Sequence, residues 1–371
     1  MVRGNFIDCP KAAPCDFGHW YKFAHADGLD ACSACYTAHI APTRLDQTFK
    51  ERPGLEHESS LICDFDISRV KALWRDCVAR GSVDSLVSYA ALRTYVIPCA
   101  GPTAVELTDD RKIYGLVNNE IDDFGICGAC YEDFFVSNGM AHHFVERGPV
   151  YRASLGTNVS FLCDGATRTT RSAARAYQDR DWQTFIGWAR GRRAAPDCAG
   201  LGGAVPDNRR GWTLAGVDDF AACEACHLDH IAFSSFRPHF QPNTKLYPGT
   251  WTCDLAHPLL KSAFDVCVER NNIKLFHNAA QTVLQAPACT EGGIEDGLWF
   301  VLKGSESDDN AFKMCAVCYA CIVLPDGAGD KFSPRRFPAG TAQKCDLRLT
   351  DKNPRVFPTL MRLARAMGTQ D

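Results

Sequence analysis

The chain has no apolar run long enough to cross a bilayer. Its longest nearly apolar stretch, Met314 to Leu324, is far below the roughly 18 residues that a spanning helix needs. The opening residues, Met1-Val2-Arg3-Gly4-Asn5-Phe6-Ile7-Asp8-Cys9, contain no apolar core of signal-peptide length. Charge of one sign is also in short supply. The net charge is −4 over 371 residues, so no global basic field points to nucleic acid. There is no phosphate-binding glycine loop, no Gly-x-Ser-x-Gly, no His-Glu-x-x-His and no dinucleotide fingerprint. Gly202-Gly203 is too short to serve as a phosphate loop. The expectation is a soluble protein of the cytoplasm or nucleus, not secreted and with no membrane partner, and no catalytic residue is assigned.

Cysteine is what the chain has in quantity: 20 residues. The stretch Phe124-Gly125-Ile126-Cys127-Gly128-Ala129-Cys130-Tyr131 shows their arrangement: an aromatic, two spacers, Cys-x-x-Cys, an aromatic. It recurs at Leu29 to Tyr36, Phe220 to His227 and Phe312 to Tyr319, and the first cysteines lie 95, 96 and 92 residues apart. Each pair is followed, after 27, 32, 26 and 26 residues, by one Cys-Asp: Cys63-Asp64, Cys163-Asp164, Cys253-Asp254 and Cys345-Asp346. Each pair is preceded by a lone cysteine: Cys99, Cys198 and Cys289 in the last three repeats, and Cys9 or Cys15 in the first. Cys9 fits by spacing, whereas Ala13-Pro14-Cys15 is the closer match to Val96-Ile97-Pro98-Cys99. Trp20, Tyr114, Trp212 or Trp299 stands between the lone cysteine and the pair.

A fixed internal repeat sets the architecture before any local reading does. Disulfide scaffolds are short, secreted and richer in cysteine, above roughly 8–10%. In a reducing compartment, Cys-x-x-Cys with partners at fixed distances indicates a metal site. Two intervening residues let both sulfurs reach one tetrahedral ion, and two distant sulfurs close the set. The expected ligands are therefore Cys32, Cys35, Cys63 and Cys9 or Cys15; Cys99, Cys127, Cys130 and Cys163; Cys198, Cys223, Cys226 and Cys253; Cys289, Cys315, Cys318 and Cys345. The expected cofactor is Zn2+, about four ions per chain, structural because four thiolates leave no position for substrate.

The 35 or 36 residues from each Cys-Asp to the next lone cysteine are long enough for a helical hairpin. Val70, Leu73, Trp74 and Cys77, then Val83, Leu86, Val87, Ala90, Ala91 and Tyr95, form apolar faces at helical spacing. Leu260, Phe264 and Cys267, then Leu275, Phe276, Ala279 and Val283, do the same in the third repeat. Asp64 or Asp66 is expected to cap the first helix, and the aspartates of the four Cys-Asp pairs are expected either to cap helices or to orient the ligand loops through hydrogen bonds. Ile40, Phe135, Ile231 and Val323 share one place, five residues after the second cysteine of the pair, and read as core. The fold class expected is mainly α with short β knuckles: four zinc units at 1–98, 99–197, 198–288 and 289–371, joined by hairpins, the last shortened to one helix, Pro358 to Met367.

Other groups carry competing readings. Cys77 and Cys267 read as packing thiols, and Cys321 extends the fourth pair as a competing ligand. A free thiol nucleophile or an open zinc site would need a nearby base or a vacancy. His227 and His230 follow Cys226 closely enough to ligate, yet His227 occupies the slot of Tyr36, Tyr131 and Tyr319. His142-His143 has no counterpart in other repeats and reads as a surface feature. Between Gly165 and Ala215 nine arginines (168, 171, 175, 180, 190, 192, 193, 209, 210) face four aspartates for a local charge of +5. Trp182, Phe185 and Trp188 are interleaved with them. The Arg168–Arg210 stretch is therefore the place for nucleic acid, while a solvated helix face with a buried aromatic stripe explains it without a ligand.

Trp, then Phe-x-x-Cys-x-x-Cys-Tyr-x-x-x-(Ile/Val), then a distant Cys-Asp and a helix, resembles a repeat of fungal cysteine-repeat proteins of unassigned function. The resemblance covers all four repeats and departs from the pattern at His227 and Leu29. It implies a fungal intracellular setting and brings no activity or catalytic residue. The functional expectation is a protein-binding scaffold or adaptor, with nucleic-acid binding and a thiol or open-zinc enzyme as alternatives.

Overall fold

The computed structural model describes residues 20–347 apart from 53–62, 102, 109, 149–159, 178–180, 207–208, 244–249, 291 and 309–310. Cys9, Cys15, Arg180 and the expected helix Pro358–Met367 lie outside the described residues.

Each repeat begins with a three-stranded antiparallel sheet whose first strand is central. In the first repeat Trp20–Phe23 pairs with Asp30–Cys32 on one side and Phe49–Glu51 on the other. The same order recurs with Ile113–Leu116 between Gly125–Cys127 and Phe144–Glu146. It recurs again with Gly211–Leu214 between Ala222–Cys223 and Phe240–Pro242, and with Trp299–Leu302 between Lys313–Cys315 and Phe332–Arg335. The second strand delivers the first cysteine of each pair. The chain then turns through the Cys-x-x-Cys knuckle into one π-helical turn: Tyr36–Ile40, Tyr131–Phe135, His227–Ile231 and Tyr319–Val323. Such turns are rare. Each lays its last residue into the core, and Ile40, Phe135, Ile231 and Val323 are all fully buried.

The mainly α expectation is overturned. Of the described residues, 43% are helical and 17% are strand, in several small sheets, so the class is mixed. These strands are two to four residues long, too short to show alternation, and they exist because neighbouring segments pair.

The helical hairpins are present in three repeats: α1 (Ser68–Arg80) and α2 (Asp84–Arg93), α3 (Arg168–Ala176) and α4 (Trp182–Ala194), α5 (Pro258–Glu269) and α6 (Ile273–Gln285). α1 ends at Gly81, whose φ of +75° is the left-handed cap that glycine adopts without strain. Trp74 on α1 packs edge-on against Phe49 of the sheet and Phe65, and its Nε1 donates to the His39 carbonyl at 2.9 Å. Phe264 on α5 packs against Phe236, Phe240 and Phe276. Tyr95, expected in the core, is 87% exposed because α2 stops at Arg93.

The chain forms two compact units, Met1–Pro196 and Asp197–Asp371, each holding two repeats. Within the first, the hairpin of repeat one docks on the π turn of repeat two through polar side chains. Asp133 accepts from Tyr89 and pairs with Arg93, and Glu132 pairs with Arg69. Within the second, one apolar core runs through both repeats, with Leu260, Phe264, Phe276, Cys321 and Val323 all buried in it.

Candidate metal centres

The knuckle puts two sulfurs on one side of a tight turn, and a later segment of the chain returns the Cys-Asp cysteine to it. In all four repeats the backbone N–H of the first paired cysteine points at the sulfur of the distal one. The N···S distances are 3.2 Å for Cys32 to Cys63, 3.2 Å for Cys127 to Cys163, 3.3 Å for Cys223 to Cys253 and 3.3 Å for Cys315 to Cys345. The lone cysteine reaches in from a segment anchored by a short ribbon, Val105–Glu106 with Ser160–Phe161 or Val205–Pro206 with Thr250–Trp251. In the fourth repeat a single bridge, Ile294 to Gln343, does this.

Three complete four-sulfur clusters result: Cys99, Cys127, Cys130 and Cys163; Cys198, Cys223, Cys226 and Cys253; Cys289, Cys315, Cys318 and Cys345. Within each, all sulfurs lie within 4.8 Å of one another. Cys32, Cys35 and Cys63 form the same group in the first repeat; its expected fourth ligand, Cys9 or Cys15, is outside the described residues. The paired and distal cysteines are buried and the lone ones half-buried. All described cysteines are free thiols. The sulfurs of Cys289 and Cys318 are 3.9 Å apart, close to the about 3.8 Å edge of a tetrahedron with metal–sulfur bonds of about 2.3 Å, and far beyond the about 2.05 Å of a disulfide. The donor set therefore fits a tetrahedral, thiophilic cation.

Without a cation the sulfurs of a cluster cannot ionise together. Hydrogen bonds from the other thiols, Cys127 foremost, hold Cys99 far below the usual thiol range, while the same sharing pushes Cys130 and Cys163 well above it. The third cluster behaves alike: Cys198 is lowered, and Cys226 is raised. A bound divalent ion removes this competition, because it favours all four thiolates at once.

Of the two roles expected for the aspartate of each Cys-Asp, the structure shows the orienting of the ligand loop rather than a helix cap. Its Oδ2 accepts the backbone N–H two residues ahead of the first paired cysteine: Asp30 to Asp64 at 2.7 Å, Gly125 to Asp164 at 2.8 Å, Ala221 to Asp254 at 2.7 Å, Lys313 to Asp346 at 2.8 Å. The carboxylate thus clamps the strand that carries the knuckle to the segment that carries the distal cysteine. Burial pushes Asp64 up to about 7 and Asp254 up to about 6, against the opposing pull of those amide bonds. The helix caps are other residues: Thr167 accepts from the Thr170 amide and Asn272 from the Leu275 amide. Asp66 instead pairs with Arg175 at 2.7 Å.

A ring stack lies beside each cluster: Tyr21 on Tyr36, Tyr114 on Tyr131, Trp212 on His227 and Phe300 on Tyr319, with centroids 3.4 to 3.8 Å apart. His227 is thus a stacking residue. It is no ligand, and desolvation lowers its pKa to about 4. The aromatic expected before each pair is out of register. Trp20 and Trp299 pair across from Cys32 and Cys315 and are buried, whereas Tyr114 and Trp212 sit one residue later and face the stack. One residue along a strand changes the face. In the third repeat Trp251 fills the core space above Gly211.

The competing groups are placed as follows. Cys77, Cys267 and Cys321 are buried core thiols, and burial pushes Cys267 and Cys321 up to about 12. His143 stacks on Trp182 at 3.7 Å, and its Nε2 hydrogen-bonds the Tyr177 hydroxyl at 3.0 Å; it ties α4 to the sheet and is no isolated surface feature. Of the arginines, Arg171 bonds the Gly165 carbonyl, Arg175 pairs with Asp66, Arg190 bonds the Glu120 carbonyl, and Arg193 bonds the Asp123 carbonyl and Asp164.

No helix among the described residues is long and apolar enough to cross a membrane. No family model, no curated protein and no solved structure matches the chain.

Proposed function

We propose that the chain is a zinc-stabilised repeat protein of the cytoplasm or nucleus that acts as a scaffold or adaptor for other proteins. One observation carries the reading: each complete cluster is a closed set of four sulfurs, all but one of them buried. Such a set holds a structural ion and has no vacancy for a substrate. The borderline-soft, redox-inert zinc ion suits four thiolates in a reducing compartment. The spare thiols Cys77, Cys267 and Cys321 are all buried, and burial raises the pKa of the last two, which argues against a thiol nucleophile. The nucleic-acid reading, through Arg168–Arg210, has at least five of its nine arginines, Arg171, Arg175, Arg190, Arg192 and Arg193, hydrogen-bonded within the fold. It would still require an affinity that falls steeply with salt.

The partner surface favoured is the C-terminal end of α2 and the residues just past it, where Leu92 is 42% and Tyr95 87% exposed. The test combines two measurements. Metal content of protein purified under reductant, by native mass spectrometry, should give zinc. Iron in its place corrects the ion, and absence of metal with paired thiols sinks the reading. Leu92→Ser with Tyr95→Ser should then abolish co-purification of a specific protein while leaving the metal count unchanged. Retention of that protein, or a double variant with turnover-competent zinc, would refute the scaffold role.

A further inference from the structure

The three complete clusters are alike in ligands and burial, but the second has an arginine against one of its sulfurs. After Cys-Asp, repeats one, three and four place a large apolar residue, Phe65, Leu255 or Leu347, each buried. The second repeat has Gly165. A Cβ there would lie 3.3 Å from the sulfur and 2.9 Å from the Cβ of Cys130. The missing side chain opens a way to the sulfur from α3, and Arg171 takes it. Its Nε donates to the Gly165 carbonyl at 2.8 Å, its guanidinium lies over the Phe134 ring at 4.7 Å, and its Nη2 is 3.8 Å from the Cys130 sulfur. The side chain is held on three sides before any ion binds. At the same distance from the Cys-Asp cysteine the third repeat has Lys261, which is exposed.

We infer that Arg171 makes the second cluster kinetically more inert than the third and fourth, so that electrophiles and chelators strip those two centres first. This deepens the zinc-repeat reading and rests on it. Four thiolates around a divalent ion carry a net charge of −2. A guanidinium beside them offsets one unit, and its N–H withdraws electron density from the sulfur it touches. Both effects lower the nucleophilicity of a metal-bound thiolate. A hydrogen bond from a charged donor that weakens as the sulfur is attacked slows that attack by about tenfold or more. The consequence is a graded response. Residues 197–371 lose their metals while the second centre still holds the first compact unit together.

The test is alkylation of the full-length, metal-loaded protein by N-ethylmaleimide. A sulfur adds across the reagent's double bond, and each event adds one reagent mass. Peptide mapping over time reads each cluster separately, and native mass spectrometry follows the metal count. In the wild-type protein, Cys99, Cys127, Cys130 and Cys163 should be labelled at least about tenfold more slowly than the cysteines of the third and fourth clusters. Arg171→Met, checked for full metal loading, should erase the lag, and Arg171→Lys should restore part of it. Labelling of the second cluster as fast as the others in the wild type would overturn the inference without needing any variant. So would a lag that persists in Arg171→Met. A protein that purifies without metal would fail at the metal count, before alkylation, and would bring down the zinc reading itself.

Discussion

Asp164 shows how much one carboxylate does at these centres. It holds the Gly125 amide at 2.8 Å and the Arg193 guanidinium at 3.0 Å. Asp164→Ala would leave the buried amide unpaired, at about 1–3 kcal/mol, and loosen the strand that carries Cys127. The expected outcome is a 10–100-fold loss of metal affinity at the second centre alone, measured by competition with a chromogenic chelator. The same contact complicates charge neutralisation of the arginine stretch, because Arg193→Gln also weakens a metal clamp. His227 is the opposite case. Neither ring nitrogen has a hydrogen-bond partner, and the ring stacks on Trp212 at 3.4 Å. His227→Phe keeps the stack and removes two desolvated nitrogens. It should raise the stability of the unit 197–371 by about 1 kcal/mol, read from a denaturation midpoint.

At the scale of elements, the two hairpin-to-π-turn docks are built from different chemistry on one plan. In the first unit Asp133 gathers Tyr89 and Arg93. In the second unit the same places, counted from the Cys-Asp cysteine or within the π turn, are Cys321, Ala279 and Val283. Asp133→Ala should destabilise residues 1–196 by about 3 kcal/mol, since it strands a largely buried guanidinium, and should leave the unfolding transition of residues 197–371 in place. Chemical denaturation of the full chain, with a probe in each unit, checks both halves of that statement. The hairpins were legible from the sequence because Trp74, Cys77 and Leu86, or Phe264, Cys267 and Phe276, recur at helical spacing. The sheets were not. Segments such as Asp30–Cys32 or Ala222–Cys223 are too short to carry a period, and the π turns have no sequence signature apart from the cysteines that precede them.

At the scale of the molecule, the number of metal ions is the quantity that tests the repeat. In the complete repeats the lone cysteine stands 14, 13 and 10 residues ahead of the strand residue that pairs with the first knuckle cysteine: Ile113, Gly211 and Trp299. Cys9 is 11 residues ahead of Trp20 and Cys15 only 5. Cys9→Ser should therefore lower the count from about four ions to about three, and Cys15→Ser should leave it unchanged, by native mass spectrometry. Separate expression of residues 1–196 and 197–371 should give two folded pieces, each with about two ions, because each compact unit carries its own core and two of the clusters. A fragment that purifies unfolded with its cysteines reduced would refute that independence.

The repeat length and the cysteines that cluster were legible in the sequence, Cys9 against Cys15 excepted, because a tetrahedral site asks for one residue type at a fixed local spacing whatever the surrounding fold. The hairpins followed from apolar period for the same local reason. Strand register, the reach of Asp64, Asp164, Asp254 and Asp346 back to the knuckle strand, and the entry of Arg171 beside Cys130 were decided by tertiary structure. The aspartate and arginine contacts depend on two segments roughly 30 to 40 residues apart arriving at the same place, and pairing and packing set such meetings rather than any pattern along the chain.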